Sequence, residues 1–238
     1  MQKSKFFAIL LASVVMALPA PSAQAEKVGV WVGGQFRENS YYTYLGGMSG
    51  FGQDLASESG FVTSIHLGFG QFDYNTVAVP GGNVDADQYS GDMMVGYRHN
   101  FGSGHITAQI GGEYKNYDLS PPNPLSQNDG AEWGVKGSLD ISSRFTTNTP
   151  FGISGSYSSA FESYRTAADI GYDFGPVTLG PIGVIQGNQD WHQWKAGALL
   201  SNIDLGFAKA KLDVGYFDTT DRGGDDGIYG GVGFSKGF

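Results

Sequence analysis

A chain of 238 residues with a formal net charge of −9, 38 glycines and no cysteine excludes several classes at once. The acidic balance argues against a nucleic-acid partner, which selects basic faces, and the lack of cysteine removes both a disulfide framework and a thiolate metal site. Beyond residue 25 no apolar run approaches the ~20 residues of a spanning helix, so residence in a membrane would require a closed barrel.

The first element is an export signal. Lys3 and Lys5 precede an apolar run from Phe6 to Leu18, and the small-residue pattern Ala23-Gln24-Ala25 follows. This reads as a secretory signal peptide over residues 1–25, too short and wrongly flanked for a membrane anchor. No cysteine follows the cleavage point, so a lipid-anchored lipoprotein is not expected. Residues 26–238 are left as one domain.

Alternation then recurs to the end of the chain. Segments 27–36, 41–49 and 60–74 alternate weakly. In 87–101, Tyr89, Met93, Val95, Tyr97 and Phe101 share one face, and Asp92 and Arg98 lie on the other. In 105–117, Ile106, Ile110 and Tyr114 oppose Glu113 and Lys115. In 132–141, Trp133, Val135 and Leu139 oppose Glu132, Lys136 and Asp140. Segment 151–158 is weaker. In 164–174, Tyr164, Ile170, Tyr172 and Phe174 oppose Arg165, Asp169 and Asp173. Segments 177–186 and 191–200 are weaker again. In 207–217, Leu212, Val214 and Tyr216 oppose Lys209, Lys211 and Asp213. The last stretch, 228–238, ends on Phe238. Period-two alternation of this kind is the signature of half-buried strands. It predicts an all-β fold, a single antiparallel transmembrane β-barrel of about twelve strands, ten being the other count that fits; bacterial single-chain barrels have even numbers.

A soluble barrel alternates too, with its apolar face inside. Three features favour lipid outside. The apolar parity is padded with Gly and Ala and ends in aromatics, with Tyr97, Phe101, Tyr172, Phe174 and Phe238 at one end and Tyr89, Tyr114, Tyr164 and Tyr216 at the other. Two aromatic girdles suit two membrane interfaces. The polar parity carries cations and anions in near balance, as enclosed charges must be paired or hydrated. The export signal makes the outer membrane available. Lys236 alone breaks the pattern, on the apolar parity, and is expected to snorkel into the headgroups. Connections 75–86, 118–130 and 218–226 are long and are expected outside the cell, whereas those at the other end are short except 51–59.

The chemistry on view is sparse. His66, His99, His105 and His192 form no metal-spaced pair, and no cofactor is expected. A Ser–His catalytic pair would need His192 near Ser158 or Ser159, and an enzyme is not expected. The acidic loop 219–227 lacks the closing Glu of a calcium loop. The stretch 187–197 holds Asp190, Trp191, His192 and Trp194 at a strand mouth. Asp190, Trp191 and His192 are the candidate glycan contacts, through ring stacking and hydroxyl bonding, while Trp194 fits a girdle anchor.

The segments "VDADQYSGDMMVGYRHNFGSGHITAQIGGEYKNYDLSPPNP" (84–124), "GSYSSAFESYRTAADIGYDFGPVTLGPIGVIQGNQDW" (155–191) and "DDGIYGGVGFSKGF" (225–238) together resemble the BcsS family of cellulose biosynthesis proteins. The resemblance implies an accessory outer-membrane protein of cellulose synthesis and secretion, with outer-membrane lipid, cellulose or glucan, and cellulose synthase components as its partners. It implies no catalytic residues. The function expected is a scaffold or narrow conduit. A small-solute porin or surface adhesin, and a lipid- or glycan-modifying enzyme, are the alternatives.

Overall fold

The computed structural model describes residues 27–220 and 225–238. The signal expected over 1–25 lies outside the described residues, as does Asp221 of the acidic loop. Among the described residues the chain forms twelve strands. They are β1 (Val28–Arg37), β2 (Ser40–Gly50), β3 (Gly60–Asn75), β4 (Asn83–Phe101), β5 (Gly104–Ser120), β6 (Gly130–Thr146) and β7 (Thr149–Ser158), followed by β8 in two pieces (Ser163–Ile170 and Tyr172–Asp173), β9 (Thr178–Gly187), β10 (His192–Asp204), β11 (Lys209–Thr220) and β12 (Asp226–Gly237). A 3-10 turn, Ala160–Glu162, joins β7 to β8. Each strand pairs antiparallel with the next, and β1 pairs with β12 to close the ring. The seam runs to the last residue: Val28 and Phe238 exchange both backbone hydrogen bonds, at 2.8 and 3.1 Å. Closure leaves no edge strand and satisfies the backbone, as hydrocarbon requires.

The alternation sorts as predicted. Met93, Val95, Ile110, Val135 and Val214 are more than half exposed on the outer face, while Asp92, Met94 and Glu113 beside them are buried. Aromatic pairs ring both ends outside. Phe69–Tyr89, Tyr114–Trp133 and Trp194–Tyr216 lie far from the termini, with centroids 5.0–5.9 Å apart. Phe61–Tyr97, Phe145–Phe151 and Tyr172–Phe174 lie at the terminal end, 4.3–5.4 Å apart. Lys236 keeps the outward parity and sets its ammonium 4.7 Å over the Phe238 ring. A one-residue slip would turn the inward cations to lipid at about 2–4 kcal/mol each near the midplane, so the register is firmly held.

Strand lengths differ from the expectation in one sector. β3 to β6 run to 16–19 residues, against the 9–11 that cross a bilayer. The connections expected over 75–86 and 118–130 are shortened accordingly. The extra length forms a wall beyond the membrane at the far end, and Val84, Ala86 and Leu119 pack there with Val79 of the β3–β4 loop and with Phe72 and Tyr74. Burial of this apolar cluster favours the extension of β3, β4 and β5.

Candidate functional site: the lumen and its two mouths

A continuous cavity of about 1480 Å3 follows the barrel axis, from Gly29, Leu55 and Ser235 at the terminal end to Asn123, Ser126 and Asp190 at the far end. Inward-facing positions of all the strands contribute to it, so the period-two pattern that fixes the fold also lines the site.

One wall, on β3 to β6, holds a compact charge cluster. Lys136 Nζ donates to Asp92 Oδ2 at 2.6 Å and to Glu113 Oε1 at 2.8 Å. Lys115 lies 3.2 Å from Glu113 Oε2 and reaches the Ser163 hydroxyl on β8. His66 Nδ1 is bonded to Asp92 Oδ1 at 2.6 Å. Asp92 and Glu113 are nearly inaccessible, and their partners on both sides compensate the desolvation of two carboxylates. At the terminal end Arg144 pairs with Asp173 at 3.2 Å and His105 with Asp140 at 3.1 Å.

The remaining inward charges expected from the sequence are not drawn into that cluster. Glu132 Oε2 instead accepts the Phe161 N–H at 2.9 Å, holding the β7–β8 turn, where Phe161 takes a left-handed φ of 54° and packs edge-on to Tyr117. Arg98 Nε donates to Asn100 Oδ1 at 3.4 Å. Arg165, Asp169, Lys209, Lys211 and Asp213 line the cavity, and none of them has an oppositely charged partner within 4 Å among the described residues. Neutralisation around the axis is therefore direct on one wall and spread through the water-accessible lumen on the other. Lys195, which the sequence reading passed over, joins this second wall, bonding Gln35 at 2.8 Å and lying over the Tyr229 ring. Its inward neighbours are Gln193, Gly197 and Leu199, so β10 showed too little alternation for one lysine to stand out.

Aromatic side chains on β1 to β3 are the largest feature that the sequence reading missed. They lie against inward glycines of neighbouring strands. The Trp31 indole covers Gly46, where an added Cβ would fall 2.4 Å from its ring nitrogen. Tyr42 crosses β3 between Gly68 and Gly70 to bond Ser90 on β4 at 3.2 Å. Tyr44 covers Gly33 on β1 and approaches Gly233 on β12. Here the inward parity holds Gly, Tyr and Trp rather than charge, so its contrast with the lipid face is weak. The usable signal was Gly at alternate positions facing Tyr or Trp one strand away, the aromatic cover of strand glycines.

Both mouths are partly covered. At the far end the β5–β6 loop folds across the opening. Its Ser126 hydroxyl and Gln127 N–H donate to Asp190 Oδ2 at 2.7 and 2.9 Å, and Asn123 Nδ2 donates to the Tyr74 hydroxyl at 2.9 Å. Gln189 Nε2 returns a bond to the Gln127 carbonyl at 2.8 Å. At the terminal end the 51–59 turn tucks Leu55 under the lumen, and Asn100 and His99 hold it through the Leu55 and Glu58 carbonyls and the Ser59 hydroxyl.

The three candidate glycan contacts separate. Asp190 anchors the β5–β6 loop. Trp191 lines the mouth of the cavity. His192 faces outward with Trp194, and its Nδ1 is bonded to the Tyr164 hydroxyl at 2.8 Å.

Over residues 30–238 the chain matches the family described as "Cellulose biosynthesis protein BcsS". No curated protein matches it in sequence. Solved barrels similar to it include the KdgM porin, at 13% identity and a TM-score of 0.47, covering 88% of this chain and 99% of that one. The translocator domain of the autotransporter NalP from Neisseria meningitidis is another, at 11% identity and a TM-score of 0.48, covering 99% and 96%.

Proposed function

This chain belongs to the BcsS family of cellulose biosynthesis proteins, and we propose that it sits in the outer membrane as a narrow conduit accessory to cellulose export. The supporting observation is the single cavity that reaches from one mouth of a closed barrel to the other. Its two covering segments, the 51–59 turn and the β5–β6 loop, are held by a handful of hydrogen bonds each. Such contacts give way at modest cost, since a typical intramolecular hydrogen bond contributes only about 1 kcal/mol net. A barrel with removable covers is suited to passing a thin polymer while resisting free leakage of small solutes.

Two measurements test the reading. Deletion of the protein is expected to lower the cellulose released from cells without lowering its synthesis in isolated membranes; unchanged release would overturn it. The purified barrel in a planar bilayer is expected to show small, intermittent conductance. A large, permanently open channel would favour a general porin, and complete silence a scaffold.

A further inference from the structure

We propose that the inner wall of β1 to β3 is a binding track for an uncharged β-linked glucan chain, with Trp31, Tyr44 and Tyr42 as its stacking platforms. This rests on the conduit reading and names the ligand that the lumen takes. Each of the three rings lies over glycine backbone, which keeps it down against the wall. All three are half-buried and line the cavity, so one side meets the sheet and the rest meets the lumen. Trp31 pairs with Gly46, Tyr44 with Gly33 and Tyr42 with Gln35, so successive registers spread the rings along the axis. Trp31 stands near the terminal end beside His66, with ring centroids 5.1 Å apart. Tyr44 and Tyr42 follow above it, their rings 6.4 Å apart and inclined by only 31°. Phe72 and Tyr74 continue the series on β3 towards the far mouth, 6.3 Å apart and 28° from parallel.

The ligand chemistry follows from what the wall offers and from what stands opposite. A β-linked glucopyranose chain is a flat ribbon with C–H groups on its faces and hydroxyls along its edges. Aromatic faces suit such apolar surfaces. Across the ring from β1, β7 presents Ser154 and Ser156 to the cavity. Ring faces on one side, with serine hydroxyls and the hydrogen-bonding side chains of Arg165, Asp169 and Lys211 on the others, match a flat polyhydroxylated ribbon better than an apolar solute.

The test uses the full chain folded in detergent, with its fold checked by heat-modifiable gel mobility. Cellohexaose, maltohexaose and the anionic hexagalacturonate are titrated calorimetrically. Cellohexaose is expected to bind in preference to the other two. Trp31→Ala or Tyr44→Ala is expected to weaken it about tenfold, the order of one lost stacking contact. Trp31→Phe, which keeps a ring on Gly46, should retain most of the affinity, and Trp194→Phe on the outer surface should change nothing. Equal affinity in the alanine variants, or a preference for hexagalacturonate, would overturn the track. Cellohexaose binding by a barrel whose deletion leaves cellulose release intact would remove the conduit and keep the track. A deletion that lowers release, with no cellohexaose binding to the folded barrel, would do the reverse.

Discussion

At the scale of single residues, Lys136 has the sharpest consequence. Its ammonium is shared by Asp92 and Glu113, whose side chains are only 4% and 3% accessible. Lys136→Met leaves two buried carboxylates with less compensation. Breaking a buried pair from one side costs about 3–5 kcal/mol, and a loss of that order is expected in the unfolding free energy measured by urea titration of the barrel in micelles, seen as a lowered midpoint. Lys136→Met combined with Asp92→Asn removes one of the stranded charges and is expected to recover much of it. If the single change leaves the midpoint alone, the cluster contributes little to stability. The charged half of the lumen was legible in the sequence at this scale, because a Lys or Glu between outward Val and Ile has one tolerable direction. Trp31, Tyr42 and Tyr44 were not: an aromatic residue suits lipid, girdle or lumen equally, and only the glycine across the neighbouring strand tells them apart.

The elements divide in the same way. Strand positions followed from alternation, and the weaker segments at 27–36, 41–49 and 151–158 proved to be β1, β2 and β7, where inward Gly, Tyr and Ser replace charge. Their ends were harder to place, since β3, β4 and β5 continue past the bilayer by burying an apolar cluster with Val79 of the β3–β4 loop, a tertiary cause without local signature. Loop docking was invisible for the same reason. Asp190 looked like a sugar ligand because it precedes Trp191, yet it receives Ser126 and Gln127 from a distant loop. Asp190→Ala is expected to free that loop, raising its cleavage by added protease and lengthening the open bursts in a planar bilayer. Unchanged cleavage and unchanged bursts would mean that the Asn123–Tyr74 and Gln189–Gln127 bonds hold the loop without Asp190.

For the whole molecule, the outward apolar belt decides where the chain can reside. Ile110 is 60% accessible on the outer face near the middle of β5. Ile110→Lys is expected to destabilise the folded barrel in bilayers by about 2–4 kcal/mol, measured by urea titration in lipid vesicles, with a much smaller effect near the rim at Phe101. An equal response at the two depths would be inconsistent with a hydrocarbon layer around the barrel.

The pairing of Val28 with Phe238 bears on biogenesis. The two residues that complete the cylinder are almost the whole polypeptide apart, and contacts so remote in sequence form slowly. Until the final segment arrives, the first strand presents unbonded amides and carbonyls, an invitation to aggregation. The nascent protein therefore needs shielding throughout its passage to the membrane, and a permutation that joins these two strands through a tight turn is expected to move that need to whichever pair then holds the new ends.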